Sequence, residues 1–171
     1  MADAKISDLT ALSAIPDSGD LVAIVDVSDT TMASSGTTKK NTYANFIGKR
    51  IVEVQVLDSG TALATGDGKA YFFIPVELNG YNLVDADAAV HTVSSSGTPT
   101  IQINNLTQVA DMLTTRITID ANEKTSFTAA VAPVIDTAND DVATGDQIRV
   151  DIDVTGTSTA GLWVILSFQL P

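Results

Sequence analysis

Strict alternation of apolar and polar side chains is the strongest signal in this chain. Residues 147–154 (QIRVDIDV) place Ile148, Val150, Ile152 and Val154 on one face, with Arg149, Asp151 and Asp153 on the other. A period of two is the pattern of a half-buried β-strand. Residues 162–170 (LWVILSFQL) alternate as well, with Leu162, Val164, Leu166, Phe168 and Leu170 together. Trp163 and Ile165 lie on the opposite face, which predicts a last strand covered on both sides and suited to a subunit interface. Further strands are predicted at 51–57 (IVEVQVL), 70–75 (AYFFIP), 83–93 (LVDADAAVHTV), 100–105 (TIQINN) and 112–120 (MLTTRITID). In 83–93, Asp85, Asp87 and Ala89 share one face, and Ala86, Ala88 and Val90 the other. Turn residues separate these runs, as at Asp58-Ser59-Gly60 and Thr65-Gly66-Asp67-Gly68.

No helix of three turns is predicted after residue 50. The expected fold is therefore all-β: an antiparallel β-sandwich, jelly-roll-like. The chain has no Cys, so the Cys–Trp–Cys signature of immunoglobulin domains is missing. Residues 51–171 form this predicted β-sandwich domain. Residues 1–50 read differently, as an extended N-terminal arm with one strand and short helical turns. Ile6, Leu9 and Leu12 recur every three residues, as on one helical turn. Residues 21–27 (LVAIVDV) suit a strand, 28–38 (SDTTMASSGTT) a polar loop, and 41–48 (NTYANFIG) a short helix ending at Gly48. One strand leaves its backbone groups unpaired, so the arm must dock on a body, a sister chain or another protein.

Composition sharpens this division. The chain of 171 residues carries a net charge of -12, but its five bases before residue 51 nearly balance the six acids there. Residues 51–171 hold four bases against fifteen acids. So acidic a body predicts no nucleic-acid partner and no anionic membrane surface, since phosphate contacts need Lys or Arg. No apolar run reaches the length of a membrane span, and no signal peptide is evident. Aromatics are only 5%, against 22 Thr, so small and β-branched side chains build the core.

Candidate chemistry is sparse. His91 is the single His, with no nucleophile-elbow motif to serve. Absence of Cys removes thiolate metal sites, and no cofactor is expected. Asp136, Asp140, Asp141 and Asp146 lie in one loop and are the set a Ca²⁺ ion would use. Their spacing misses the EF-hand pattern, and a solvated acidic loop is the simpler reading. Asp151 and Asp153 share the outward face of their strand, again an ordinary solvated pair. Tyr71, Phe72, Phe73, Tyr81 and Trp163 include candidates for a sugar-stacking surface, with Tyr81 and Trp163 the two not required by the core. Lys39, Lys40, Lys49 and Arg50 form the basic cluster, suited to an acidic neighbour. No enzyme activity is expected.

The order of segments in the arm carries a resemblance. Residues 6–12 (ISDLTAL), 19–27 (GDLVAIVDV) and 36–46 (GTTKKNTYANF) together resemble the N-terminal module of tailed-bacteriophage tail-fibre and minor structural proteins. The match covers about residues 5–47. Residues 68–75 (GKAYFFIP), 78–80 (LNG) and 168–171 (FQLP) are similar to β-sandwich modules of phage capsid-decorating, head-fibre and tail-fibre proteins.

The resemblance implies a virion structural protein. Its N-terminal arm would attach to the particle or to a sister subunit through Ile6, Leu9, Leu12, Leu21, Ile24, Val25, Lys39, Lys40, Tyr43 and Phe46. It implies a homo-oligomer, by analogy a trimer. Its other partners would be the major capsid protein or tail- and portal-proximal virion proteins. Shaft repeats are missing, which favours a compact knob, a capsid decoration or head-fibre-like appendage. The alternative is a short tail-fibre tip that recognises a host-surface glycan or protein through Tyr81 and Trp163.

Overall fold

The structure is a computed structural model and describes residues 20–32, 34 and 36–171. Ile6, Leu9 and Leu12 and the helical turn predicted around them lie outside these residues. The chain divides into two compact units, one ending at Gly48 and one beginning at Lys49.

The first unit contains β1 (Leu21–Asp26), β2 (Thr37–Thr42) and α1 (Tyr43–Ile47). β1 and β2 pair antiparallel, from Leu21↔Thr42 to Asp26↔Thr37. Among its described residues the arm therefore has two strands rather than the single one expected. Residues 37–42 (TTKKNT) have no apolar alternation to betray them. They become a strand because β1 needs a partner for its N–H and C=O groups, and the Thr residues suit extended backbone. Helix α1 then follows within the expected segment 41–48, with Thr42 Oγ1 accepting from Asn45 N–H as N-cap (3.3 Å) and Gly48 closing it.

The second unit is mostly antiparallel β, as the alternation predicts. Its strands are β3 (Arg50–Ala62), β4 (Gly66–Phe73), β5 (Tyr81–Thr92), β6 (Thr100–Asn105), β7 (Ala110–Asp111), β8 (Leu113–Thr115), β9 (Ile117–Thr118), β10 (Val134–Ile135), β11 (Asp141–Val142), β12 (Gln147–Val154) and β13 (Ala160–Gln169). One sheet has the order β11-β5-β13-β3, another β4-β12-β6-β7 with β9 beside β6, and β8 pairs β10. These are separate open sheets, and their strand orders do not display a jelly roll. Residues 112–120, expected as one strand, are split into β8 and β9 by the break at Arg116.

Both large sheets bury one face. β13 buries Leu162, Val164, Leu166 and Phe168, and β5 buries Leu83, Ala86, Ala88 and Val90. β12 buries Ile148, Val150 and Ile152 against Asn105, Ile103 and Ile101 of β6 in register. The fourth inward position expected on β12, Val154, is exposed at the strand's end. Leucine-sized side chains fully withdrawn from water contribute about 1.5–3 kcal/mol each, so these rows dominate the body's stability. The irregular stretch 119–139 is tied down at Ser126, which is buried. Its Oγ donates to Asp87 Oδ1 (2.6 Å) and accepts from Ala88 N–H (3.0 Å).

Candidate functional site

The hairpin unit holds the largest group of sequence-predicted residues. Its turn is built from two aspartates. Asp26 Oδ1 accepts from the Ser28 N–H (3.0 Å) and hydroxyl (2.6 Å), and Asp29 Oδ1 accepts from Thr31 N–H (3.0 Å). Lys39 Nζ crosses from β2 to both, at 2.7 Å from Asp26 Oδ2 and 3.0 Å from Asp29 Oδ2. The Lys39 bond, with help from Ser28, holds the Asp26 carboxyl well below the usual carboxylate range. Bonds from Thr31, backbone first, and from Lys39 lower Asp29 to about 2. The same two acids raise Lys39. Gly36 has φ +119°, and a Cβ there would stand 2.8 Å from the Asp26 carbonyl oxygen and 2.8 Å from Val25 Cγ1. Only glycine lets the chain return this close to β1.

This clamp leaves the apolar side chains outside. Leu21 (60%), Val25 (60%) and Phe46 (60%) are exposed, Ile24 is exposed to a lesser degree, and Tyr43 is half-buried. Two more residues of this unit, Val27 and Met32, are exposed and apolar. Sequence reading passed over them because they stand beside and within a polar loop. Lys40 is exposed, whereas Lys39 is committed to the hairpin's own acids. Among the remaining members of the basic cluster, Lys49 Nζ lies 3.4 Å from Asp85 Oδ2.

The proposed ligand aromatics are placed differently from expectation. Tyr81 is buried at the start of β5 and has no ring face free for stacking. Trp163 is half-buried on the outer side of its sheet, between Gln55 of β3 and Ala89 of β5. In the second unit the exposed aromatics are instead Tyr71 and Phe73, two residues apart on β4, and Phe127.

Beside Tyr71 lies a polar cluster that alternation alone misjudged. Asp151 is buried, not solvated. Its Oδ1 accepts from Gly68 N–H (2.7 Å), and its Oδ2 accepts from Arg149 Nε (3.0 Å) and Nη2 (2.7 Å). Arg149 also reaches Asp67 at 3.4 Å. A carboxylate on an outward strand face is covered here because the turn into β4 folds over it. Asp153, two residues on, pairs with Arg116 and remains exposed.

The acidic loop is not gathered around a point. Asp136 caps its own turn through Ala138 N–H and Asn139 Nδ2. Asp140 Oδ1 accepts from Asn82 Nδ2 (2.9 Å). Asp141 is exposed, and its backbone carbonyl accepts from Gln108 Nε2 (3.0 Å). Asp146 Oδ2 accepts from Asn105 Nδ2, Ala143 N–H and Gln108 Nε2. Burial pushes the Asp146 carboxyl up, but these three bonds outweigh it and hold it below its ordinary value. No group of three or more potential metal ligands is found among the described residues. His91 is exposed at the end of β5. An open pocket of ≈ 290 Å³ lies where β3 bulges, lined by Gln55, Val56, Leu57, Asp58 and Thr61.

No protein-family model, curated protein or solved structure matches this chain.

Proposed function

We propose that this chain is a bacteriophage virion structural protein, a capsid-decorating or head-fibre-like appendage. Its N-terminal unit anchors it to the particle, and residues 49–171 are the displayed module, a β-sandwich in this reading. The observation that carries the proposal is the hairpin of residues 21–42 with its following helix. It fixes its own turn with an internal charge clamp yet leaves Leu21, Val25, Val27 and Phe46 in water. Exposed apolar patches on so small a unit mark an interaction surface. The order of segments that resembles phage attachment modules falls on this same unit. The body supports a displayed role, because it has a buried core of its own, and Asp136 and Asp146 of its acid-rich loop are bonded within turns. In this reading the protein works as a homo-oligomer on the particle, with capsid or tail-proximal proteins as its other partners, and it has no catalytic part.

The test is particle labelling. An antibody against residues 49–171 is expected to decorate virions produced from the genome that encodes the chain. Virions from the same genome with codons 1–48 deleted should lose the label while the free body remains folded. Unlabelled virions, or label retained after the deletion, would overturn the reading.

A second reading, a receptor-binding tip, is favoured by one observation. Tyr71 and Phe73 present two rings side by side next to the Arg149–Asp151 pair. Any glycan contact would centre there rather than on Tyr81 and Trp163. Loss of host adsorption in a Tyr71→Ala, Phe73→Ala virion that still assembles would support it.

A further inference from the structure

The first strand of the body has an open side. β3 runs for 13 residues, and its only ladder among the described residues is with β13. From Arg50 to Gln55 that pairing is regular; the irregularities begin at Leu57. The opposite side of residues 50–55 therefore carries a flat row of N–H and C=O groups. Such edges are ordinarily blunted by Pro, Lys, a bulge or an inward-pointing charge. This stretch (RIVEVQ) has none of these beyond Arg50 at its start. Its side chains are those of a paired strand: Ile51 is 68% exposed, and Val52 and Val54, which face the core side, are only half-buried.

We infer that residues 49–53 form a two-fold interface, in which β3 of one copy pairs antiparallel with β3 of a second and joins two four-stranded sheets into one. The occupant is argued from the strand's own sequence. A two-fold axis normal to the sheet keeps side chains on their faces, so each residue must oppose one of the same parity. Centring the axis on Glu53 would set two carboxylates opposite each other, which is destabilising. Centring it on Ile51 sets Ile51 against Ile51 and Lys49 against Glu53 twice, each ammonium group exchanging Asp85 of its own chain, 3.4 Å away, for Glu53 of the other copy. That register pairs the backbone row over residues 49–53, buries Ile51, the exposed large apolar side chain of β3, and pairs its charges. An isologous contact of this kind is self-complementary and closes at two copies. The trimer expected by analogy would need a different surface. The inference concerns the body alone and stands whether or not the chain belongs to a virion.

The test is sedimentation velocity of the full chain over a concentration series. The expected result is a monomer–dimer equilibrium. Ile51→Lys, at an exposed position, should weaken the dimer by at least about tenfold, because two ammonium groups then meet at the axis. Glu53→Lys should weaken it too, and Lys49→Glu added to Glu53→Lys should restore it. Val109→Lys, on an exposed turn far from the edge in sequence, controls for added charge and should leave the dimer unchanged. Circular dichroism reports whether each variant remains folded. A monomeric wild type, a stoichiometry of three, or a dimer indifferent to Ile51→Lys would each overturn the inference.

Discussion

Gly68 shows how a single backbone position can arrange a surface. It has φ +68°, and a Cβ built there would run into the Tyr71 hydroxyl. Its N–H is also the donor that reaches the buried Asp151 carboxylate. Gly68→Ala therefore combines a left-handed conformation, costing about 1–2 kcal/mol for an L-residue, with displacement of the Tyr71 ring. The expected outcome is a lower denaturant midpoint, with Tyr71 fluorescence or ring NMR signals shifted and the slope unchanged. A variant with wild-type stability would show that the turn adapts freely. The Asp151 network was not legible in the sequence. Alternation correctly put Asp151 on the outward face, but it carries no information about which loop folds over that face. Asp146 is a similar case: its place in an acid-rich run suggested a cation, whereas its actual partners, Asn105 and Gln108, lie about forty residues away.

At the scale of elements, β12 and β13 were plain from the pattern, because one buried face imposes a strict period of two. β2 was hidden, since both of its faces are polar and only its pairing with β1 makes it a strand. The short β7, β10 and β11 were hidden for a different reason: two residues cannot show a period. The hairpin makes a pH prediction. Asp26 and Asp29 both titrate below their unfolded values near 4 in the folded state. Their pairing with Lys39 is therefore fully present above about pH 4 and is lost as pH falls toward the folded values, about 2 for Asp29. Amide NMR signals of residues 26–39 should move together between about pH 4 and pH 2, ahead of any change in the body. Lys39→Met should move that transition toward higher pH. Hairpin signals that titrate only with global unfolding would contradict the clamp.

At the scale of the molecule, charge and topology act in different places. A body with fifteen acids and four bases in residues 51–171 repels its own copies, so β3 pairing should tighten as salt screens the net charge. The structure divides the chain into compact units at Gly48 and Lys49, and the shift in charge and pattern lies near residue 50. The sheet orders were not, because period-two patterns say which face is buried and not which strand lies beside which.

Those orders have a consequence for how the chain comes to be folded. β12 sits between β4 and β6, and β13 sits between β3 and β5. The two strands that knit both sheets thus follow all the other strands of the body in sequence, and their partners lie as far upstream as Arg50, which pairs with Phe168. During synthesis β3, β4, β5 and β6 emerge with no central strand to receive them. The body cannot assemble stepwise on the ribosome; it waits for residues 147–169 and then closes around them, a slow search dominated by distant contacts. A chain stopped after Asp146 should give no cooperative unfolding transition at all, and a native-like transition in that fragment would show that the early strands can settle without their centre. A copy that stops short of β12 and β13 is therefore reported by failure to fold, so only copies that carry both strands would be fit for assembly.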